Sequence, residues 1–299
     1  GSIRNTVSNY SKPGDAVLTA DWFWAPYNSI AQEQGRTLET YELLNKEGGF
    51  NKEAFDAKVN GLLAKQDSLV ILLNTPAHNP TGYSLTLSDW DKVIETLSSA
   101  GSDKKITLFV DIAYIDFAGD EEEYRQFLPK LEELPANVLP VLGYSASKTF
   151  TLYGMRCGAM ICMAKTAEIA AEFKQVCEFS ARATWSNSTR AAQKVIANIY
   201  EDEKLLARVN EERKQYRDML VARGRAFEKS AKEAGLEIVP FDSGFFASIP
   251  CPNPDEISRK LEKEGIFIVP LAKGLRVSVA SISEERCAAI PFKIAEAMK

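Results

Sequence analysis

The feature that most narrows the possible folds is a set of uninterrupted apolar runs placed between helical patterns. Ser68–Asn74 contains Leu-Val-Ile-Leu-Leu, and Ile106–Ile112 and Val138–Tyr144 are built in the same way. A strand that is apolar on both faces needs cover on both, which is the condition of a mainly parallel sheet sandwiched by helices. Shorter β-rich runs at Asp15–Asp21, Thr37–Leu43 and Gly158–Met163 extend that sheet. Helices are expected at Pro26–Gln34 (ended by Gly35), Lys52–Lys65 and Leu87–Ala100.

From about Ser188 the pattern changes. Ala191–Ala234 reads as a long, densely charged helix interrupted near Glu201–Glu203. Strands follow at Leu236–Val239, Gly244–Ile249, Ile266–Val269 and Leu275–Val279, with helices near Asp255–Glu264 and at Glu284–Met298. The expected organisation is a large α/β domain over residues 1–190, then a linking long helix and a smaller C-terminal α+β domain over 191–299. A chain of 299 residues can bury two such cores.

Composition removes several functions. His78 is the only histidine, so a histidine-rich metal site is excluded and acid–base work falls to Lys, Tyr, Asp, Glu, Cys or a cofactor. Cys157, Cys162, Cys177, Cys251 and Cys287 are odd in number and form no C-x-x-C pair. They read as reduced thiols, and point to a cytoplasmic protein. The formal charge of -5 is spread along the chain without a basic cluster, so nucleic acid is not an expected partner. No apolar run reaches membrane-spanning length and no signal peptide is recognised, so a membrane is not expected either.

Ligands of open α/β sheets sit beyond the carboxyl ends of the strands. That rule singles out the loops after Asn74, Val110 and Tyr144. They carry Asn79-Pro80-Thr81-Gly82, Asp111-Ile112-Ala113-Tyr114 and Ser145-Ala146-Ser147-Lys148, with Arg156 eight positions beyond the lysine between Gly154 and Gly158. Each has a plain structural reading. A lysine at a strand end is usually solvated, an aspartate there caps or turns, and Asn-Pro-Thr-Gly makes a turn. Trp22 and Trp24 can be core aromatics, Arg276 an outward side chain of an alternating strand, and His78 a structural neighbour of Asn79. Their joint occurrence, in order, on strand ends is what the plain readings leave unexplained.

In that order the motifs resemble those of the fold type I enzymes that use pyridoxal 5′-phosphate (PLP), in the aspartate/aromatic aminotransferase (class I/II) family. The resemblance extends over essentially the whole chain. It implies a seven-stranded-type sheet and a PLP-dependent aminotransferase that moves an amino group between an acidic or aromatic L-amino acid and a 2-oxo acid such as 2-oxoglutarate. Lys148 would be the catalytic residue, holding PLP as a Schiff base. Asp111 would pair with the pyridine nitrogen, Asn79 and Tyr114 would bond the phenolic oxygen, and Ser145 and Arg156 would hold the phosphate. Trp24 would stack on the ring, with Trp22 as competitor. Arg276, in Gly274-Leu275-Arg276-Val277-Ser278, would grip the substrate's α-carboxylate, with Asn79 beside it. In Arg182-Ala183-Thr184-Trp185-Ser186-Asn187, Ser186 would reach a neighbouring subunit's phosphate and Arg182 the distal carboxylate of a dicarboxylic substrate, although Arg182 reads equally as a surface residue. A homodimer with its active site at the interface is implied, with no metal.

The chemistry suits the composition. PLP is an electron sink for a carbanion at Cα, a buried aspartate keeps its ring nitrogen protonated, and a lysine freed from the cofactor can carry the proton without histidine. A C–S β-lyase on the same scaffold and a non-catalytic aminotransferase-like sensor domain are the alternatives. Gly1-Ser2-Ile3-Arg4 resembles the residues just after the family's glycine-rich phosphate loop, or a cloning remnant. The resemblance thus places about the first quarter of the family's length outside this chain, by truncation, proteolysis or a split gene product.

Overall fold

The computed structural model describes residues Gly1–Lys299. Six strands form the large sheet, where the resemblance implied seven: β1 (Ala16–Ala20), β2 (Thr37–Tyr41), β3 (Ser68–Asn74), β4 (Lys105–Asp111), β5 (Val138–Ser145) and β6 (Gly158–Cys162). Their order is β2-β1-β3-β4-β5-β6, all parallel except β6, which runs antiparallel to β5. The apolar runs behave as their composition requires. The five residues from Leu69 to Leu73 and the five from Ile106 to Val110 are all buried, each removing about 1.5–3 kcal/mol worth of apolar surface from water for the larger side chains.

Parallel register puts the strand ends side by side. Asn74 pairs with Asp111, and Asp111 with Gly143, so the segments leaving β3, β4 and β5 all emerge on one edge of the sheet. Gly143 is required by packing: a Cβ there would lie 2.2 Å from the Phe109 ring, which is fully buried. Gly143→Ala is expected to cost about 1–3 kcal/mol through overpacking, read as a lower urea midpoint with an unchanged slope. An unshifted midpoint would mean that the Phe109 ring has room to move.

The second sheet is small and antiparallel, in the order β7-β9-β8, from β7 (Phe246–Pro250), β8 (Val269–Leu271) and β9 (Gly274–Ser278). Its core gathers Phe227, Phe241, Ile249, Ile257, Leu261, Leu275, Val277 and Ile294. By packing, the chain divides into two compact units. One comprises Gly1–Thr75, Leu85–Ala113 and Arg125–Leu206; the other comprises Pro76–Ser84, Tyr114–Tyr124 and Ala207–Lys299. The second unit therefore includes two short segments that lie, in sequence, among the strands of the large sheet.

Most expected elements form within a residue or two of their anticipated ends. The long charged helix does break at Asp202, whose extended backbone separates Arg190–Glu201 from Glu203–Glu233 and whose Oδ1 accepts from the amides of Lys204 and Leu205 at 3.0 and 3.1 Å. Two strand expectations are corrected. Leu236–Val239 buries apolar side chains but forms no ladder beyond a bond from Val239 N to Ser248 O of 2.9 Å. The strand expected at Ile266–Val269 starts only at Val269, because Gly265 is left-handed (φ 75°) and Ile266 N still bonds back to Leu261 O, finishing the preceding helix. Two helices of eight residues or more escaped the sequence reading, Ser2–Tyr10 and Ala167–Thr184, besides three short ones at Glu121–Arg125, Phe127–Lys130 and Ala146–Thr149. The longest buries only Phe173, although Ile169, Phe173, Val176 and Cys177 stand at helical spacing and could have announced it.

Candidate active site

Asp111 ends β4 and anchors the first group of candidate residues. Its Oδ2 accepts from the hydroxyl of Tyr27 at 2.7 Å and its Oδ1 from the amide of Ala113 at 3.2 Å. Its main-chain oxygen accepts from the side-chain amide of Asn74 at 2.8 Å. Burial pushes the carboxyl above the ordinary aspartate range, while the Tyr27 and Ala113 donors and Lys148 pull the other way. A carboxylate placed like this is short of positive charge, and a cationic N–H donor is the partner that would relieve it.

Tyr27 was not among the residues anticipated from sequence. It lies in the helix Pro26–Glu33, is almost wholly buried, and receives the edge of Trp24 with ring centroids 5.6 Å apart at 89°. Trp24 is half-buried, with ring surface to offer. Trp22 is 6% exposed and sits among the buried hydrophobic residues, which leaves it little surface to offer a ligand.

Lys148 lies in the helical turn Ala146–Thr149 that follows β5. It is half-buried, and burial together with the Arg156 guanidinium holds its ammonium below the ordinary lysine range, with Asp111 opposing the shift. A lysine in that state has a larger neutral, nucleophilic fraction near pH 7 than a solvated one. Arg156 adopts a left-handed backbone (φ 53°) and donates from Nη1 to Tyr153 O at 2.5 Å and to Ser147 Oγ at 3.4 Å. Ser147 therefore meets the arginine, a contact the sequence did not single out; Ser145, half-buried, closes β5 against Gly158. The amino end of the helix Ser2–Tyr10 belongs to the same neighbourhood. Gly1, which caps that helix, lies within electrostatic range of Arg156, Arg4 and Asp111. A helix start beside a guanidinium suits an anion such as a phosphate.

Arg182 and Ser186 are brought together elsewhere in this unit, at the exposed end of the helix Ala167–Thr184. Arg182 Nη1 donates to Ser186 Oγ, and Ser186 is left-handed (φ 67°). Their partners are each other.

In the second unit, Asn79, Tyr114 and Arg276 form one chain of hydrogen bonds. Arg276 Nη1 donates to Asn79 Oδ1 at 3.1 Å, and Asn79 Nδ2 donates to Tyr114 Oη at 3.4 Å. Arg276 projects from β9 with its guanidinium 4.4 Å from the centroid of Phe246, a cation–π contact that orients its fork. Burial lowers its pKa and Tyr114 raises it, yet an arginine stays charged. The ring of Tyr114 packs edge-on against Phe245 and Phe246 at 5.1 and 6.1 Å. The Asn79 loop is rigid for local reasons. Ala77 is left-handed (φ 56°), His78 Nδ1 lies 2.7 Å from Thr81 Oγ1, and a Cβ at Gly82 would strike Phe241. His78 thus serves the turn. An amide, a phenol and a guanidinium in a row can recognise an oxyanion and a carboxylate. Strained left-handed residues other than glycine number four, Ala77, Thr151, Arg156 and Ser186, and all fall in candidate loops.

No group of three or more His, Cys, Asp or Glu side chains is placed to hold a metal ion. All five cysteines are free, and no helix is long and apolar enough to cross a membrane.

Comparison with known proteins gives consistent results. Residues 1–290 match the family model described as aminotransferase class I and II. The chain is 27% identical over 279 residues to the aromatic-amino-acid aminotransferase of Escherichia coli, covering 91% of this chain and 66% of that protein. It is 24% identical over 291 residues to an aspartate aminotransferase of Pseudomonas aeruginosa, covering 96% and 70%. The chain thus spans about two thirds of the length of these relatives. Among solved structures, an aminotransferase from Anaerococcus prevotii has a TM-score of 0.97 at 37% identity, over 100% of this chain and 73% of that one. An aromatic-amino-acid aminotransferase from Burkholderia pseudomallei, covalently bound to pyridoxal phosphate, shares the fold with a TM-score of 0.80 at 24% identity, over 100% and 72%.

Proposed function

Because this chain belongs to the aminotransferase class I and II family, we propose that it moves an amino group between an acidic or aromatic L-amino acid and a 2-oxo acid such as 2-oxoglutarate, with PLP held on Lys148. The observation that carries this reading is the placement of Asp111 and Lys148 at the ends of neighbouring strands: a carboxylate that closes β4 and an amine in the turn after β5, on the same edge of the sheet and close enough to act on each other electrostatically. By residue type each unit's donors suit a part of PLP: in the first, Asp111 suits a basic ring nitrogen, Lys148 an aldehyde, and Arg156 and Ser145, near the start of the helix Ser2–Tyr10, a phosphate; in the second, Asn79 and Tyr114 suit a ring hydroxyl.

When bound, PLP supplies the electron sink that lets a bond at an amino acid's Cα break heterolytically. The rest falls to the chain's own side chains. Asp111 would hold the ring N–H, and Tyr27 favours the ionised form of that carboxyl by donating to Oδ2. Trp24 would lie against the cofactor ring. Lys148, through its neutral Nζ, would take up and return the substrate's Cα proton. Arg276 binds the substrate's α-carboxylate with its planar fork and so fixes which Cα bond stands across the ring. Arg182 would select a distal carboxylate, and Ser186 would meet the phosphate of a partner subunit.

A homodimer is supported by apolar surface on the helices Ala167–Thr184 and Arg190–Glu201 and the turn between them: Phe179 is 77% exposed, and Trp185, Val195 and Tyr200 are also exposed. A cytoplasmic setting is supported by five free thiols.

The test is amino transfer by the purified chain supplied with PLP, with aspartate or tyrosine as donor and 2-oxoglutarate as acceptor, read as glutamate formed. Pyruvate and ammonia from a cysteine-type donor, without transfer, would overturn the reading. Arg276→Lys is expected to keep the charge but lose the two-point grip, lowering kcat/KM by roughly 10–100-fold, mostly through KM. An effect confined to kcat would remove Arg276 from carboxylate binding.

A further inference from the structure

Tyr153 is unaccounted for by packing. Its ring is 66% exposed, so burial gives it little reason to sit where it does. Yet Lys148 Nζ lies 4.6 Å from the ring centroid and Arg156 Cζ 5.3 Å from it. Its main-chain oxygen accepts from Arg156 Nη1 at 2.5 Å. One residue therefore touches both cations of the Lys148 loop, by its ring and by its backbone. The geometry is held by the short helical turn Tyr153–Met155, flanked by left-handed Thr151 and Arg156, each with φ 53°.

The difficulty at this spot is electrostatic. Half-buried Lys148 and exposed Arg156 are two cations of one loop, and the guanidinium acts on the amine. Asp111 is the carboxylate that opposes the guanidinium's effect on Lys148. If that carboxylate pairs with a bound cationic group, less of it is left for Lys148. The electron-rich face of an aromatic ring attracts a cation without adding a titrating group, and does so from a partly solvated position.

We infer that Tyr153 is a positioning residue whose ring face is the resting place of the Lys148 ammonium whenever that amine is not joined to a carbonyl carbon. The contact keeps the amine over its loop, beside Arg156. Its importance for catalysis rests on the reading of Lys148 given above; the contact itself does not.

The test is made on the full chain without cofactor. Trace acetylation by acetic anhydride, followed by peptide mass mapping, gives the pH midpoint of labelling at Lys148. Tyr153→Phe is expected to leave the midpoint near its wild-type position, because the ring face and not the hydroxyl makes the contact. Replacing that phenylalanine with its mono-, di- and trifluorinated forms withdraws electrons from the face at nearly constant shape. The midpoint is then expected to fall stepwise, by roughly half a pH unit in all. A merely space-filling ring would give the same midpoint for phenylalanine and trifluorophenylalanine, and that result would overturn the assignment. Circular dichroism checks that each variant is folded, which the exposure of Tyr153 favours. If the wild-type chain formed no PLP adduct at Lys148, the functional reading would fail while this titration still reported on the ring.

Discussion

Lys148→Ala is expected to abolish amino transfer, by on the order of 10⁴-fold or more, since it removes both the covalent anchor and the proton carrier. Wild-type chain incubated with PLP and then borohydride should carry one reduced adduct, mapped to Lys148, and the variant none at that position. The adduct should form faster as pH rises toward the lysine's lowered pKa and level off above it, because only the neutral amine attacks. The fold should survive: Lys148 is half-buried, so its truncation costs about 1 kcal/mol or less in urea unfolding. A reduced adduct on another lysine, or a variant within tenfold of wild type, would end the assignment.

Asp111→Asn is expected to have the second largest effect, lowering PLP affinity and turnover by roughly 10²–10³-fold, the order found when one partner of a buried pair is removed. Stability of the cofactor-free chain should move the other way. The Asp111 carboxyl is raised by burial, so the folded state holds its proton more tightly than the unfolded chain does. Stability from this group is therefore greatest at low pH. It declines as pH rises above the unfolded value of about 4 and levels off beyond the raised folded value. An uncharged asparagine lacks that decline, and its urea midpoint at pH 7 should equal or exceed wild type. Tyr27→Phe removes the hydroxyl that bonds the carboxylate. It should raise the Asp111 pKa further and shift the acid limb of PLP binding to higher pH, with about a tenfold loss of affinity at neutral pH. Unchanged PLP binding in both variants would remove Asp111 from the cofactor site.

Several elements were legible because their signals are local. The runs at Ser68–Asn74 and Ile106–Ile112 announce buried strands by composition alone, and Asp202 marks its helix break by being able to cap the next helix. The helix Ala167–Thr184 was missed although Ile169, Phe173, Val176 and Cys177 stand at helical spacing; interleaved alanines blur that stripe, and only Phe173 of it is buried. The strand at Ile266 was misplaced because its apolar residues still belong to the turn that closes a helix. Candidate side chains carried by motifs were recognisable by residue type and order. Their supporting residues were not: Ser147 looks like any serine, and Tyr153 like any exposed tyrosine.

The sequence by itself determined the chemical inventory: one lysine after a buried strand, one aspartate at the end of the strand beside it, and no histidine to spare for proton transfer. Those follow from residue type and strand pattern, which neighbouring residues encode. Only the tertiary structure decided who holds that inventory in place. Tyr27 reaches Asp111 across 84 residues of chain because both are packed into one unit around the parallel sheet. Arg276 reaches Asn79 across 197 because a strand of the small sheet delivers its guanidinium there. Contacts at such separation leave no periodicity in the sequence, since they are set by the packing of whole elements and not by the residues beside them.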